Sequence, residues 1–140
     1  MSESRLFVDT NILAYAYDVT SGKKHEVAKE LLNKLWENKL GVISVQVLQE
    51  LSTTLLKKIP KPLSVDTVIE ISTDLLVWKT ISNDGALLLE ALSILKRSKI
   101  SIWDALIVAA AKRGECSTIY SEDLNHGGKI AGVQIMNPFV

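Results

Sequence analysis

The stretch Leu6-Phe7-Val8-Asp9-Thr10-Asn11 runs three apolar residues into an aspartate, a threonine and an asparagine. A short apolar run of this kind reads as a buried strand of a parallel sheet. Asp9 then stands at the strand's carboxyl end. That edge is where open α/β sheets build ligand sites, and also where ordinary helix caps begin, so the acid taken alone decides nothing.

Outward from this strand, apolar and two-sided segments alternate. Ile12 to Tyr17 is apolar throughout and predicts a short helix with an exposed flank. Between Lys23 and Lys39, the residues Val27, Leu31, Leu32, Leu35 and Trp36 recur at helical spacing among lysines and glutamates. Gly41 to Ser44 reads as a second strand, Ser44 as the cap of the next helix, and Val47, Leu48, Leu51 and Leu55 as that helix's buried side. Two prolines in 57-KKIPKP-62 make a loop. A helix from Val65 to Leu76, capped by Ser64, precedes a third strand expected over Val77 to Ile81. Ser82 is expected to start a helix that carries Leu87, Leu88, Ala91, Leu92 and Leu95 and fades at Lys96, Arg97 and Lys99.

The stretch 101-SIWDALIVAAAKRG-114 is the clearest helix: Ser101 caps it, Lys112 and Arg113 suit the negative end of its dipole, and Gly114 stops it. Ser117 to Ser121 and Val133 to Asn137 supply the last two strands. Alternating strands and helices predict βαβ units, an α/β fold with a parallel sheet and right-handed crossovers. No repeat or linker interrupts the 140 residues, and one domain is expected.

The composition narrows the function classes. Apolar residues make up 47% and charged residues 23%, an ordinary globular mixture. Sixteen Lys and Arg balance sixteen Asp and Glu, so no global basic field advertises indiscriminate nucleic-acid binding. A polyanionic partner would need local positive patches or a metal ion. A single cysteine, Cys116, allows no internal disulfide, and His25 and His126 lack the spacing of a zinc site. The start MSESRLFVD has no basic segment followed by a long apolar one, and no apolar run approaches the ~20 residues of a membrane span. A cytoplasmic location and no membrane contact are expected.

Four acids fall at or just after element boundaries: Asp9, Glu50, Asp104 and Asp123. Each has a structural explanation. Asp9 and Asn11 suit a helix cap; Glu50 suits a wet helix face beside Val47; Ser101 and Asp104 fit a capping box; Ser121 and Asp123 fit a turn. A parallel sheet, however, brings such boundaries together along one edge. Carboxylates gathered there repel one another unless a proton or cation intervenes, and an oxygen-lined pocket without Cys or His suits a hard cation such as Mg²⁺ or Mn²⁺.

The order FVDTNIL, VLQEL, SIWDALIVAAA, YSEDLNHG and MNPF across almost the whole chain resembles the PIN-domain ribonucleases, above all the toxins of VapBC toxin–antitoxin pairs. The resemblance implies a three-layer α/β/α sandwich with a mainly parallel central sheet, homodimers, and an antitoxin that covers the active cleft. It implies that Asp9, Glu50, Asp104 and Asp123 form a site for one or two Mg²⁺ or Mn²⁺ ions, with Asn11 and Ser121 as supporting ligands or orienters. RNA would be the substrate. Lys57, Lys58 and Lys61, or Lys96, Arg97 and Lys99, are candidates to hold its backbone, against a plain role as solvating residues at helix ends. Ile12 to Tyr17 and the Trp36 region are candidate partner surfaces, with a core role as the alternative. Two rival functions stay open: a non-catalytic RNA-binding or interaction module, and an aspartate-based phosphatase, although the latter's second aspartate is replaced by Asn11.

Overall fold

The structure, a computed structural model, describes residues 4–140. Strand β1 (Arg5–Val8) is flanked in parallel by β2 (Gly41–Ser44) and β4 (Cys116–Tyr120). Parallel pairing continues outward to β3 (Lys79–Ile81) beyond β2 and to β6 (Val133–Met136) beyond β4. On the outer edge the two-residue β5 (Lys129–Ile130) runs antiparallel to β6, giving the order β3-β2-β1-β4-β6-β5. Phe7, Val8, Val42, Ile43, Ile119 and Ile135 are fully buried, as strands covered on both faces require.

Helices α1 (Thr10–Tyr17) and α2 (Lys23–Asn38) connect β1 to β2, with a single 3₁₀ turn, Val19–Ser21, between them. Helix α3 (Val45–Thr53) runs on through a π-helical turn, Thr54–Lys58, before the proline loop, and α4 (Val65–Leu75) leads to β3. Helices α5 (Gly85–Leu95) and α6 (Ile102–Arg113) form an antiparallel pair, and α6 packs over β2, β4 and β6. Right-handed crossovers put α1 to α4 on one face and α5 and α6 on the other, a three-layer α/β/α sandwich. No helix among the described residues is long and apolar enough to cross a membrane.

Two expectations are corrected. The third strand begins at Lys79, because Val77 and Trp78 belong to the turn after α4, where Trp78 folds inward over β2. Gly41 makes room for it: a Cβ there would stand 2.6 Å from two ring carbons of Trp78. Trp36 meets Trp78 edge to face at 5.4 Å, and Ile12, Leu13, Ala14 and Ala16 are buried, so both candidate partner regions serve largely as packing. Second, Asp84 rather than Ser82 caps α5, its carboxylate accepting from Leu87 N–H at 2.8 Å. Of the apolar residues that α5 carries, Leu87 and Ala91 are buried while Leu88 and Leu92 are exposed.

The chain winds from β1 to β2 to β3 in one direction, then returns to β4 on the other side of β1. The β1/β4 boundary is therefore the switch point of the sheet, where the loops after the two strands part and leave a crevice.

Candidate active site

Asp9 closes β1 and caps α1 at this crevice. One carboxylate oxygen, Oδ1, accepts from Thr10 N–H at 2.7 Å, and Oδ2 accepts from the Ser121 hydroxyl at 2.8 Å. Capping and function are thus compatible in one residue. The Ser121 hydroxyl in turn accepts from the N–H groups of Asp123 (3.2 Å) and Leu124 (3.3 Å), folding the segment after β4 back towards β1. Asn11 reinforces the same link: its amide nitrogen donates to Asp123 Oδ2 at 2.9 Å, and its oxygen accepts from Glu122 N–H at 3.2 Å.

Glu50 and Asp104 reach the crevice from the other direction. Ser101 caps α6 by accepting from the Asp104 backbone N–H at 3.0 Å. Gln46, on α3, is buried and joins the two elements: its amide nitrogen donates to Glu50 Oε1 at 3.0 Å and to the Trp103 carbonyl at 3.4 Å. Both partners are acceptors, so the amide orientation is fixed by its surroundings. The buried Gln46 Oε1 is left without a hydrogen-bond partner.

Asp9, Glu50, Asp104 and Asp123 all line one cavity of about 340 Å³, together with Asn11, Tyr15, Gln46 and Trp103. Burial pushes the Asp9 carboxyl up to about 6, opposed by its two hydrogen bonds and reinforced by the charges of Glu50 and Asp123. Asp104 is also raised, chiefly by partial burial, with the Ser101 hydroxyl opposing the rise and the charge of Asp123 adding to it. The cavity resists holding its full negative charge unaided.

Such a donor set, carboxylate oxygens without thiolate or imidazole, fits a hard divalent cation. The fit is one of chemistry and placement. Among the described residues, no three His, Cys, Asp or Glu side chains stand in a closed ligand arrangement.

The basic candidates divide. Lys57 and Lys58 end the π-helical turn between Thr54 and Ile59, which both line the acidic cavity, and Lys61 follows in the exposed loop. Arg97 lines a different cavity, with Lys112 and Lys129, while Lys96 and Lys99 are exposed beside it in sequence. Four site neighbours went unnamed in the sequence reading: Gln46, Trp103, Tyr15 and Glu122. Tyr15 donates its hydroxyl to Glu122 at 2.7 Å, and Lys24 pairs with Glu122 while lying 5.0 Å from the Tyr15 ring centre. Phe139 meets Tyr15 edge to face at 5.3 Å, so the C-terminal residues help to brace the segment that carries Asp123. None of these residue types signals such a role at its sequence position.

An α/β/α sandwich with an acid-lined crevice at its switch point defines a class, and sequence comparison identifies it. Residues 6–127 match the PIN domain, and the chain belongs to the PIN-domain family. In solved structures the fold recurs in VapC20 of Mycobacterium tuberculosis, a sarcin–ricin-loop-cleaving toxin (TM-score 0.63, 22% identity, covering 84% of this chain and 89% of that one). It recurs in a toxin–antitoxin complex from Klebsiella pneumoniae (0.67, 22%, 96% and 98%) and in DNA-bound VapBC from Salmonella typhimurium (0.66, 18%, 97% and 99%). No curated protein matches the chain in sequence. At these identities the structural likeness speaks to fold.

Proposed function

We propose that the chain is a divalent-cation-dependent endoribonuclease and the toxin of a toxin–antitoxin pair. The observation that carries this reading is the meeting of Asp9, Glu50, Asp104 and Asp123, from four separate segments, around one cavity at the sheet's switch point. Membership of the PIN-domain family and the likeness to toxin structures support it.

Asp9 and Asp104 would hold the better-bound ion, with Asp123 completing its surroundings and Glu50 serving a second ion or orienting water. The bound cation, Mg²⁺ or Mn²⁺, supplies an acidified water and charge stabilisation at the phosphodiester undergoing hydrolysis. Ser121 and the α1 N-terminus fix both oxygens of Asp9, Asn11 aims Asp123, and Gln46 aims Glu50. Lys57, Lys58 and Lys61 would hold flanking phosphates through counterion release. An aspartate-based phosphatase would need an acid at position 11. Asn11 there is committed through both ends of its amide to the segment after β4, which disfavours that alternative.

The cleavage assay is direct. Purified chain with Mg²⁺ or Mn²⁺ should cut single-stranded RNA, and EDTA or a cognate antitoxin should stop it. Intact RNA under every metal condition would favour the non-catalytic module, and cleavage undiminished by EDTA would contradict the metal reading. For the assembly we infer a homodimer, supported by Leu88, Leu89 and Leu92, which leave one face of α5 43%, 68% and 45% exposed. Light scattering should give twice the 15.4 kDa chain mass; a mass of one chain would contradict the dimer.

A further inference from the structure

Trp103 is out of keeping with the helix that carries it. Every residue from Ala105 to Ala111 on α6 is buried, yet Trp103 in the first turn is 63% exposed, and it lines the cavity of the four acids. Its backbone is held in place, the carbonyl accepting from the buried amide of Gln46. The next residue is Asp104, so the ring stands about 100° round the helix from a carboxylate of the site. A large indole left in water beside a polar cavity loses the apolar burial its neighbours enjoy. Either of the other two tryptophans shows the contrast: Trp36 and Trp78 pack on each other.

We propose that Trp103 is a stacking platform for an unpaired nucleobase next to the phosphodiester that is cut. This rests on the nuclease reading and goes beyond it by naming the side chain that holds the substrate beside the acids. A planar aromatic face accepts any base by stacking, whereas a base locked in a duplex has no free face to offer. The ring supplies position and affinity, and the acids supply the reaction. Attraction to the backbone by Lys57, Lys58 and Lys61 is ionic and salt-sensitive, while stacking on Trp103 is neither. The two contributions are therefore separable by experiment.

The test uses the full chain in the Asp9→Asn background, so that RNA stays intact, and measures the Kd of a labelled single-stranded RNA by anisotropy over a range of salt. Trp103→Ala is expected to weaken binding about 5- to 150-fold. Its salt slope should equal that of the parent, and Trp103→Phe should recover most of the affinity. Melting temperatures should agree among the three proteins, because the side chain is exposed. A duplex RNA should bind the parent and Trp103→Ala alike. In the Asp9-containing enzyme, kcat/KM for single-stranded RNA should fall with Trp103→Ala by a similar factor. An unchanged Kd in Trp103→Ala, with RNA still bound and still cut by the unsubstituted chain, overturns the platform and spares the nuclease. Equal losses for duplex and single strand also overturn it. A chain that neither binds nor cuts RNA contradicts both readings.

Discussion

Asp9→Asn is expected to lower RNA cleavage by more than about a hundredfold and, at the same time, to make the metal-free protein more stable above pH 6. The activity loss follows from removing a charged oxygen donor at the centre of the proposed cation site. The gain in stability follows from linkage. The Asp9 carboxyl is pushed up to about 6 from its ordinary 3.8, so the folded chain favours the neutral acid. For a raised carboxyl the stabilisation is complete below pH 3.8 and is lost as pH rises through 6. The full difference corresponds to about 3 kcal/mol, which for a chain of this length is on the order of 10 °C in Tm. Asparagine holds the neutral state at every pH but disturbs the bond from Ser121, so a rise of several degrees at pH 7.5 is the expected result. The variant's advantage should shrink as pH falls below 6 and give way near pH 4 to a small deficit from the disturbed Ser121 bond. A variant that melts below the parent at pH 7.5 would show that Asp9 is a structural cap first.

The second large effect is the response to metal. A divalent ion that binds only the folded chain stabilises it by about 2.7 kcal/mol at a hundred times its Kd, and this again approaches 10 °C. Part of that gain is the relief of repulsion among Asp9, Glu50 and Asp123, so the shift should grow with pH between 5 and 7.5 as Asp9 ionises. Differential scanning fluorimetry with Mg²⁺, Mn²⁺ and Ca²⁺ reads it directly. Asp9→Asn should lose most of the shift. Equal melting with and without millimolar Mn²⁺ would remove the chief support for a cation site.

These two effects concern one residue because Asp9, a helix cap, is also the proposed ligand, and that doubling limits what the sequence reveals. A capping aspartate and a liganding aspartate look the same in a one-dimensional pattern. The parallel-strand runs at Leu6 and Gly41 stand out because buried strands are continuous in apolar residues, whereas the run from Ser117 is mixed in polarity and only partly buried. The strand over Val77 to Ile81 was drawn two residues too long, since periodicity does not distinguish an apolar strand residue from a Trp that turns inward over a glycine. Strand β5 has two residues and no pattern to detect. Leu88 and Leu92 are apolar without being buried, which composition alone never reveals.

The acids were visible as residue types at element ends, whereas their meeting depends on the return of β4 to the far side of β1, a property of the sheet and not of any segment. Gln46, Tyr15 and Glu122 act through hydrogen bonds spanning 4 to 107 positions of chain, and the indole of Trp103 reads in sequence as one more apolar residue of a buried helix. Long-range polar contacts leave no local signature.

Anomalous diffraction from a crystal soaked in Mn²⁺ asks the central question most directly. A manganese peak within coordination distance of carboxylate oxygens from Asp9 and Asp104, with Asp123 or Glu50 at its margin, is the result predicted. A well-ordered cavity with no manganese at saturating concentration, or manganese bound only on another face of the molecule, would contradict it.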